Sequence, residues 1–249
     1  SALPAGPSRR AMLQAFSPYT NETLTATVAP NSFIMQTCGA SGAVGPTQLQ
    51  CGAAYLNSTT SVTVVNGVQN WTVPHTGRYR IFAQGAAGAS ATVGFNGGRG
   101  ARVQGEFNLS AGQVLNLAVG QAGAATPGSN GGGGGGTFVV RSGTPLMVAG
   151  GGGGMRADAA QAGCDAQITT FGGVGVANNV NDCLAKNTAE GLGGVLSSTF
   201  YYGAGGGGFF GNGADDFFSG ILIGTGGRSW AAGLIGGTPQ NQASCTTPG

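Results

Sequence analysis

Gly131 to Gly136 is six glycines in a row, Gly150 to Gly154 is another run, and Gly205 to Gly208 a third. The ordinary reading of such a run is a flexible linker. That reading is disfavoured here, because the runs abut apolar strand-like segments instead of separating domains. A regular, ordered glycine run has one good option, a polyglycine II helix with three residues per turn and no internal hydrogen bonds. Every N–H and C=O of such a helix must then find a partner outside it. Ordering glycine costs more entropy than ordering any other residue, so a lone helix of this kind would melt. The runs are therefore expected as a packed set, with backbones close enough to bond one another directly.

Around these runs the chain reads as strands. Phe33 to Cys38 is one candidate. Thr60 to Val65 leads into Asn66-Gly67, a strong two-residue hairpin signal, followed by Val68 to Val73. Tyr79, Ile81 and Ala83 alternate with Arg78, Arg80 and Phe82. Val103, Gly105, Phe107 and Leu109 share one face, as do Leu115, Leu117 and Val119, with Ala111-Gly112 as the turn between. Thr137 to Val140 and Leu146 to Ala149 read as short buried strands joined at Ser142-Gly143. Period-two alternation argues for an antiparallel sandwich. The expected fold is all-β: a sandwich from strands in 33–120, 137–149 and 219–234, with polyglycine helices over about 121–136 and 150–215. Residues 1–30 read as a leader or arm, 31–235 as one domain and 236–249 as a tail. No helix of three turns is expected.

Only 7% of residues are charged and the net charge is +2, so nothing provides a field for nucleic acid or an anionic membrane. No segment approaches the roughly 20 apolar residues of a membrane span. No secretory h-region follows Ser1, so the chain reads as a mature or trimmed product. Asn21-Glu22-Thr23, Asn57-Ser58-Thr59, Asn70-Trp71-Thr72 and Asn108-Leu109-Ser110 are glycosylation sequons. With widely spaced cysteines and a single lysine, they point to an extracellular glycoprotein carrying N-linked glycans. Five cysteines leave several pairings open. Cys38 and Cys51 bracket one loop, and Cys164 and Cys183 another, which favours those two bridges. Cys245 is then the odd one, unpaired or intermolecular.

Catalytic and cofactor chemistry find little support. The pattern G-x-G-x-x-G arises by chance in so glycine-rich a sequence, and the single lysine, Lys186, is not in a P-loop. His75, the one histidine, sits in a turn-like Pro74-His75-Thr76-Gly77, so zinc ligation by familiar spacings is excluded. Ser41 lacks the glycine of a nucleophile elbow, with Ala43 in its place. Asp215-Asp216 is a poor acid/base pair, though calcium there is conceivable. Arg78 and Arg80 share a face that reads as solvated. Phe209-Phe210 and Phe217-Phe218 read as core or as a contact surface. No enzyme activity, metal or cofactor is expected.

Thr37-Cys38-Gly39-Ala40-Ser41-Gly42, then Gly45-Pro46-Thr47-Gln48, Gln50-Cys51 and Ala54-Tyr55, resembles the opening of the glycine-rich domain of the anaplastic lymphoma kinase and leukocyte tyrosine kinase receptors. The resemblance continues through Trp71-Thr72-Val73-Pro74, Gly85-Ala86-Ala87-Gly88, Phe107-Asn108-Leu109 and Val119-Gly120-Gln121. It takes in Gly131 to Gly136 with Thr137-Phe138-Val139, and Ala149 to Gly154, covering roughly 33 to 235. It implies a tumour-necrosis-factor-like jelly roll carrying an inserted bundle of polyglycine II helices. In that family the module is non-catalytic and binds small basic cytokines, driving receptor dimerisation. Unlike in the receptors, no transmembrane helix, kinase or cysteine-dense repeat is expected after Ile235, and the eight acidic residues are expected to offer little to a strongly basic ligand.

Two functions follow as expectations. One is a structural, self-assembling component of a cell-surface filament or matrix, with residues 1–30 lying on the sheet edge of a neighbouring copy. The other is a ligand-binding or adhesive ectodomain of a cell-surface receptor. The partner is accordingly another copy or another extracellular protein, with no nucleic acid and no direct membrane insertion.

Overall fold

The computed structural model describes residues 11–16, 32–42, 45–56, 61–90, 96–124, 130–155, 162–168, 171–175, 186–190, 193–196, 205–218 and 221–224. Its main body is two antiparallel sheets. The first orders β2 (Ser32–Met35), β1 (Ala11–Phe16), β5 (Gly77–Gln84) and β6 (Arg102–Leu109). The second orders β3 (Val62–Val65), β4 (Val68–Thr72), β7 (Val114–Ala118), β8 (Thr137–Arg141) and β9 (Thr144–Ala149).

The expected hairpins form where the turn residues allow. Asn66 and Gly67 both take positive φ, 50° and 79°, which the two central residues of a type I′ turn require. Val65 then faces Val68 in register. Ser142 and Gly143 repeat this between β8 and β9, with φ of 49° and 78°.

Alternation decides what is buried. Tyr79, Ile81 and Ala83 of β5 are buried, while Arg78 is exposed and Arg80 half-buried. Facing them from the second sheet are Trp71, Leu115, Leu117, Val139 and Ala149, within one shared core that also holds Phe33, Met35 and Leu109. Trp71 is wedged between the sheets, its ring 5.5 Å from Phe33 and 5.9 Å edge-on to Tyr79. Edge and tilted contacts of this kind add to what burying the aromatic area already contributes.

Two findings depart from the sequence reading. Ala11–Phe16, within the segment read as a leader, is β1 and lies inside the first sheet. Leu13 registers with Phe33 on one side and Ile81 on the other. It therefore pairs within its own chain, not with a neighbour; the open backbone groups of β2 and β5 are satisfied on the spot. The range 150–215, read as glycine helix, also contains three short strands: β10 (Phe171–Gly175), β11 (Lys186–Glu190) and β12 (Val195–Leu196). A small hairpin of β13 (Asp216–Phe218) and β14 (Ile221–Gly224) follows; residues 225–249, with the rest of the expected 219–234 strands, lie outside the described residues.

One helix is present among the described residues, α1 (Gln48–Ala54), capped by a reciprocal Thr47/Gln50 box. Seven residues are too few for a helix to persist alone, and three tethers hold it. Cys51, fully buried, is bonded to Cys38, as the bracketing pattern favoured. Tyr55, at the C-cap, places its hydroxyl 2.7 Å from Gln69 Oε1 and takes a hydrogen bond from the Gln36 N–H, while Gln69 Nε2 donates to the Gln36 carbonyl at 2.8 Å. Burial pushes the Tyr55 phenol above its ordinary pKa. The third tether is Gln48, whose Nε2 donates to the Val62 carbonyl (3.2 Å) and whose Oε1 accepts from the Val64 N–H (2.6 Å). One side-chain amide thus occupies the outer edge of β3 in place of another strand.

Replacing Gln48 by Ala removes both bonds to β3. It is expected to lower stability by about 1–2 kcal/mol, read from the midpoint of urea unfolding. An unchanged midpoint would show that the amide contributes nothing at this edge.

Candidate functional site

Five strands of the sandwich run directly into glycine-rich segments without a linker. Segment 85–90 continues β5, 96–101 precedes β6, 120–124 follows β7, 130–136 precedes β8 and 150–155 follows β9. None of these segments is a helix or a strand, and most of their residues are buried. Their backbone groups bond each other. Gly131 and Gly134 donate to the carbonyls of Met155 and Gly152. Gly132 and Gly135 donate to those of Ala124 and Gln121. Ala89 and Ala86 donate to those of Gly132 and Gly135.

In each pair of bonds both partners step by three residues. A β-ladder steps by two, because successive groups point to opposite sides. A step of three means that the chain returns to the same orientation every third residue, so the N–H groups of Gly131 and Gly134 address one neighbour and those of Gly132 and Gly135 another. The pattern recurs outside this run. Gly98 and Ala101 donate to Gly153 and Gly150, Gly152 and Met155 to Ala86 and Ala89, and Gly163 and Ala166 to Asn96 and Arg99.

Such bonding requires a bare backbone wherever a Cβ would face a neighbouring segment. A Cβ on Gly151 would overlap the Gly134 carbonyl, one on Gly134 the Ala86 carbonyl, and one on Gly154 the Gly131 carbonyl, all far inside 3.0 Å. Farther out, a Cβ on Gly133 would strike Gly205, and one on Gly206 would strike Gly151. The third glycine run is therefore packed into the same lattice.

Two devices fasten the lattice. Buried Thr137 bridges it to the sandwich: its Oγ1 donates to the Gln84 carbonyl (2.6 Å) and accepts from the Gly120 N–H (3.0 Å). On the outside, Asp165 accepts from the Arg99 backbone N–H at 2.6 Å and from its guanidinium at 2.7 and 3.0 Å. Hydrogen bonding from Arg99 holds the Asp165 carboxyl below its ordinary range and raises the guanidinium in turn.

The remaining sequence-predicted residues are dispersed. Arg80 gives two bonds to Glu106 Oε1, at 2.9 and 2.6 Å, and Arg78 pairs with the other oxygen, so the face read as plainly solvated carries an ion-paired cluster. The Arg80 hydrogen bond is the main reason that the Glu106 carboxyl sits low. His75 is exposed, its carbonyl taking the Tyr79 hydroxyl at 2.6 Å. It borders a cleft of about 420 Å3 with Thr63, Asn70, Trp71 and Thr72.

Phe209 is core, edge-on to Phe138 at 5.9 Å, whereas Phe210 leans on it from outside, 59% exposed. Cys164 is disulfide-bonded; Cys183 and Cys245 lie outside the described residues, as do Ala43, Asn21 and Asn57. Of the other sequons, Asn108 is exposed and Asn70 half-buried. Among the described residues no three of His, Cys, Asp and Glu gather as a metal site, and no helix is long and apolar enough to cross a membrane.

Sequence reasoning missed α1 and the Tyr55–Gln69–Gln36 network. The signal for α1 was present: Thr47-Gln48-Leu49-Gln50 is a capping box. The helix leaves Leu49 and Leu56 more than three-quarters exposed.

Replacing Gly151 by Ala is expected to disrupt the lattice, because its Cβ meets backbone that cannot move alone. Gly52, in α1 with nothing within 4 Å of its would-be Cβ, should accept Ala with a gain of up to about 1 kcal/mol. Thermal unfolding of the two variants checks the contrast; equal Tm values would refute the close-packing account. The Arg99–Asp165 clasp sets a pH dependence. Because the folded carboxyl titrates low, its stabilisation is complete above the ordinary Asp pKa of about 3.9 and is lost as pH falls through the depressed value. Amide exchange at Gly163 and Ala166, corrected for intrinsic rates, should rise in that acid window in the native chain, and the Asp165→Asn variant should lack the rise.

No family model matches the chain. Among curated proteins, it is similar to the mouse (Mus musculus) leukocyte tyrosine kinase receptor, 42% identical over 105 residues, which is 39% of this chain and 12% of the receptor. The aligned stretch thus spans about an eighth of that relative's length. Over that stretch the chain is similar to the leukocyte tyrosine kinase receptor, of the family that its glycine-rich sequence resembles.

Proposed function

We propose that this chain is a non-catalytic, extracellular, ligand-binding ectodomain module of a cell-surface receptor. The observation that carries the reading is the 42% identity to a receptor tyrosine kinase over 105 residues. The Cys38–Cys51 bridge supports it, since disulfides persist in oxidising compartments. In this reading the sandwich is the family's jelly roll, and the glycine lattice is its bundle of polyglycine II helices. The three-residue bonding step supports the helix assignment, because that helix turns once in three residues.

The lattice provides a rigid body of fixed shape, and ligands are met by what projects from it and from the sandwich. Exposed Leu49 on the disulfide-tethered α1 and Leu56 just beyond its C-cap are well placed for such a contact. The self-assembly reading loses its main support, because Ala11–Phe16 completes the sheet of its own chain.

Secreted and purified, the chain should run as a monodisperse particle of 24.2 kDa plus glycan in size-exclusion chromatography with light scattering. Its Gly131–Gly136 amides should be strongly protected from hydrogen exchange. Polymers in negative stain would favour a filament instead. Unprotected glycine amides would defeat the helix bundle.

A further inference from the structure

The four outer strands of the two sheets are not equally guarded. An unpaired strand edge is a template for joining another chain, and proteins block it with short strands, proline, charge or a covering group. The β3 edge is occupied by the Gln48 amide. The outer strand β9 contains Pro145, and β2 is only 4 residues long. The last outer strand, β6, is 8 residues long and contains no proline; of its two charges, Arg102 and Glu106, the second is held by Arg78 and Arg80 of the inner neighbour β5. Among the described residues, one row of its backbone groups has no strand partner.

That same strand carries a sequon. Asn108 is exposed on the outward-facing row with Arg102, Gln104 and Glu106, and Ser110, which completes the sequon, is exposed just beyond the strand. Buried Leu109 fixes the strand between them, so Asn108 is directed to solvent. Asn70 differs on each count. It lies on β4, flanked by β3 and β7, is half-buried, and accepts a 2.6 Å hydrogen bond from the Asn116 amide. A glycan there would have to grow from a group held within the sheet.

We propose that Asn108 carries an N-linked glycan that shields the open edge of β6, and that Asn70 stays unmodified. The proposal rests on the extracellular reading. The donor is a polyprenyl-pyrophosphate-linked oligosaccharide. A bond forms between Asn108 Nδ2 and the first sugar carbon, the bond from that carbon to the pyrophosphate oxygen breaks, and the amide nitrogen gives up one proton as polyprenyl pyrophosphate leaves. The attached oligosaccharide, bulky and hydrated, then occupies the space that an added strand would need.

The test expresses the chain with a secretion signal in an animal cell line. Protein from medium and cells alike is treated with peptide-N-glycosidase in heavy-oxygen water, and the labelled peptides are mapped by mass spectrometry. Label at Asn108 and none at Asn70 is the expected result; an unlabelled Asn108, or equal label at Asn70, overturns the assignment. Shielding is read from the Ser110→Ala variant, which keeps Asn108 but destroys the sequon. Its elution should move from monomer to dimer or larger as concentration rises, while the glycosylated chain stays monomeric.

Native chain deglycosylated after folding should make the same move, so a folding defect in the variant cannot mimic the effect. If both stay monomeric, the shield is refuted. Polymerisation with the glycan in place would refute the shield and would also count against the ectodomain reading, whereas retention inside the cell with Asn108 labelled would count against the extracellular reading alone.

Discussion

Everything in this molecule depends on backbone amides that have no partner within their own segment. In a helix or a hairpin, hydrogen bonding is local, and the neighbouring residues contribute side chains for packing. In Gly131–Gly136 neither holds. Each buried N–H and C=O would cost a few kcal/mol if left unmade, so the run exists only because other runs surround it. The absence of side chains is the condition for this, since almost any Cβ would push the neighbouring carbonyl out of reach. The glycine content therefore marks close packing and not flexibility.

The sandwich supplies what the lattice cannot provide for itself. Glycine runs bury little apolar area, and hydrophobic burial is the dominant favourable term in folding. The core around Trp71, Tyr79, Ile81 and Leu117 provides that area, and the strands deliver the runs to one place already aligned. Thr137 shows the junction at the scale of one side chain, with a single hydroxyl joining the end of β5 to the segment after β7. Ordering the sheets thus removes much of the entropy that the glycines would otherwise lose at the assembly step.

How much of this was legible varies with the physics involved. Hairpins at Asn66-Gly67 and Ser142-Gly143 could be read directly, because positive φ at two successive positions leaves few residue choices. Buried faces could be read from alternation, and the Cys38–Cys51 bridge from its bracketing of a turn-rich loop. β1 was not legible: Ala11–Phe16 lacks clear alternation and stands among prolines, and only the vacant slot between β2 and β5 calls for it. The third glycine run was visible, but not the strands β10 to β12 between it and the second, where segments of 2 to 5 residues, glycine-rich in β10 and polar in β11, are too short to show a period. The contacts of the candidate site were the least legible. Gln48, Gln69 and Asp165 act through partners 14 to 66 residues away, and nothing in their local sequence announces this. Asn108 and Asn70 are equivalent as sequons, and only their place in the sheets, burial and hydrogen bonding separate them.

The three-residue step has a consequence for how such a protein can vary. In a surface loop an extra residue is absorbed by a bulge. In Gly131–Gly136 one inserted residue would rotate all later amides by about a third of a turn, so those now bonded to 120–124 would be aimed away from its carbonyls. Because the run continues straight into β8, the same slip would also invert which side of that strand meets the core. Length, more than composition, is what this architecture must hold constant, and tolerated insertions should come in threes or fall outside the lattice altogether.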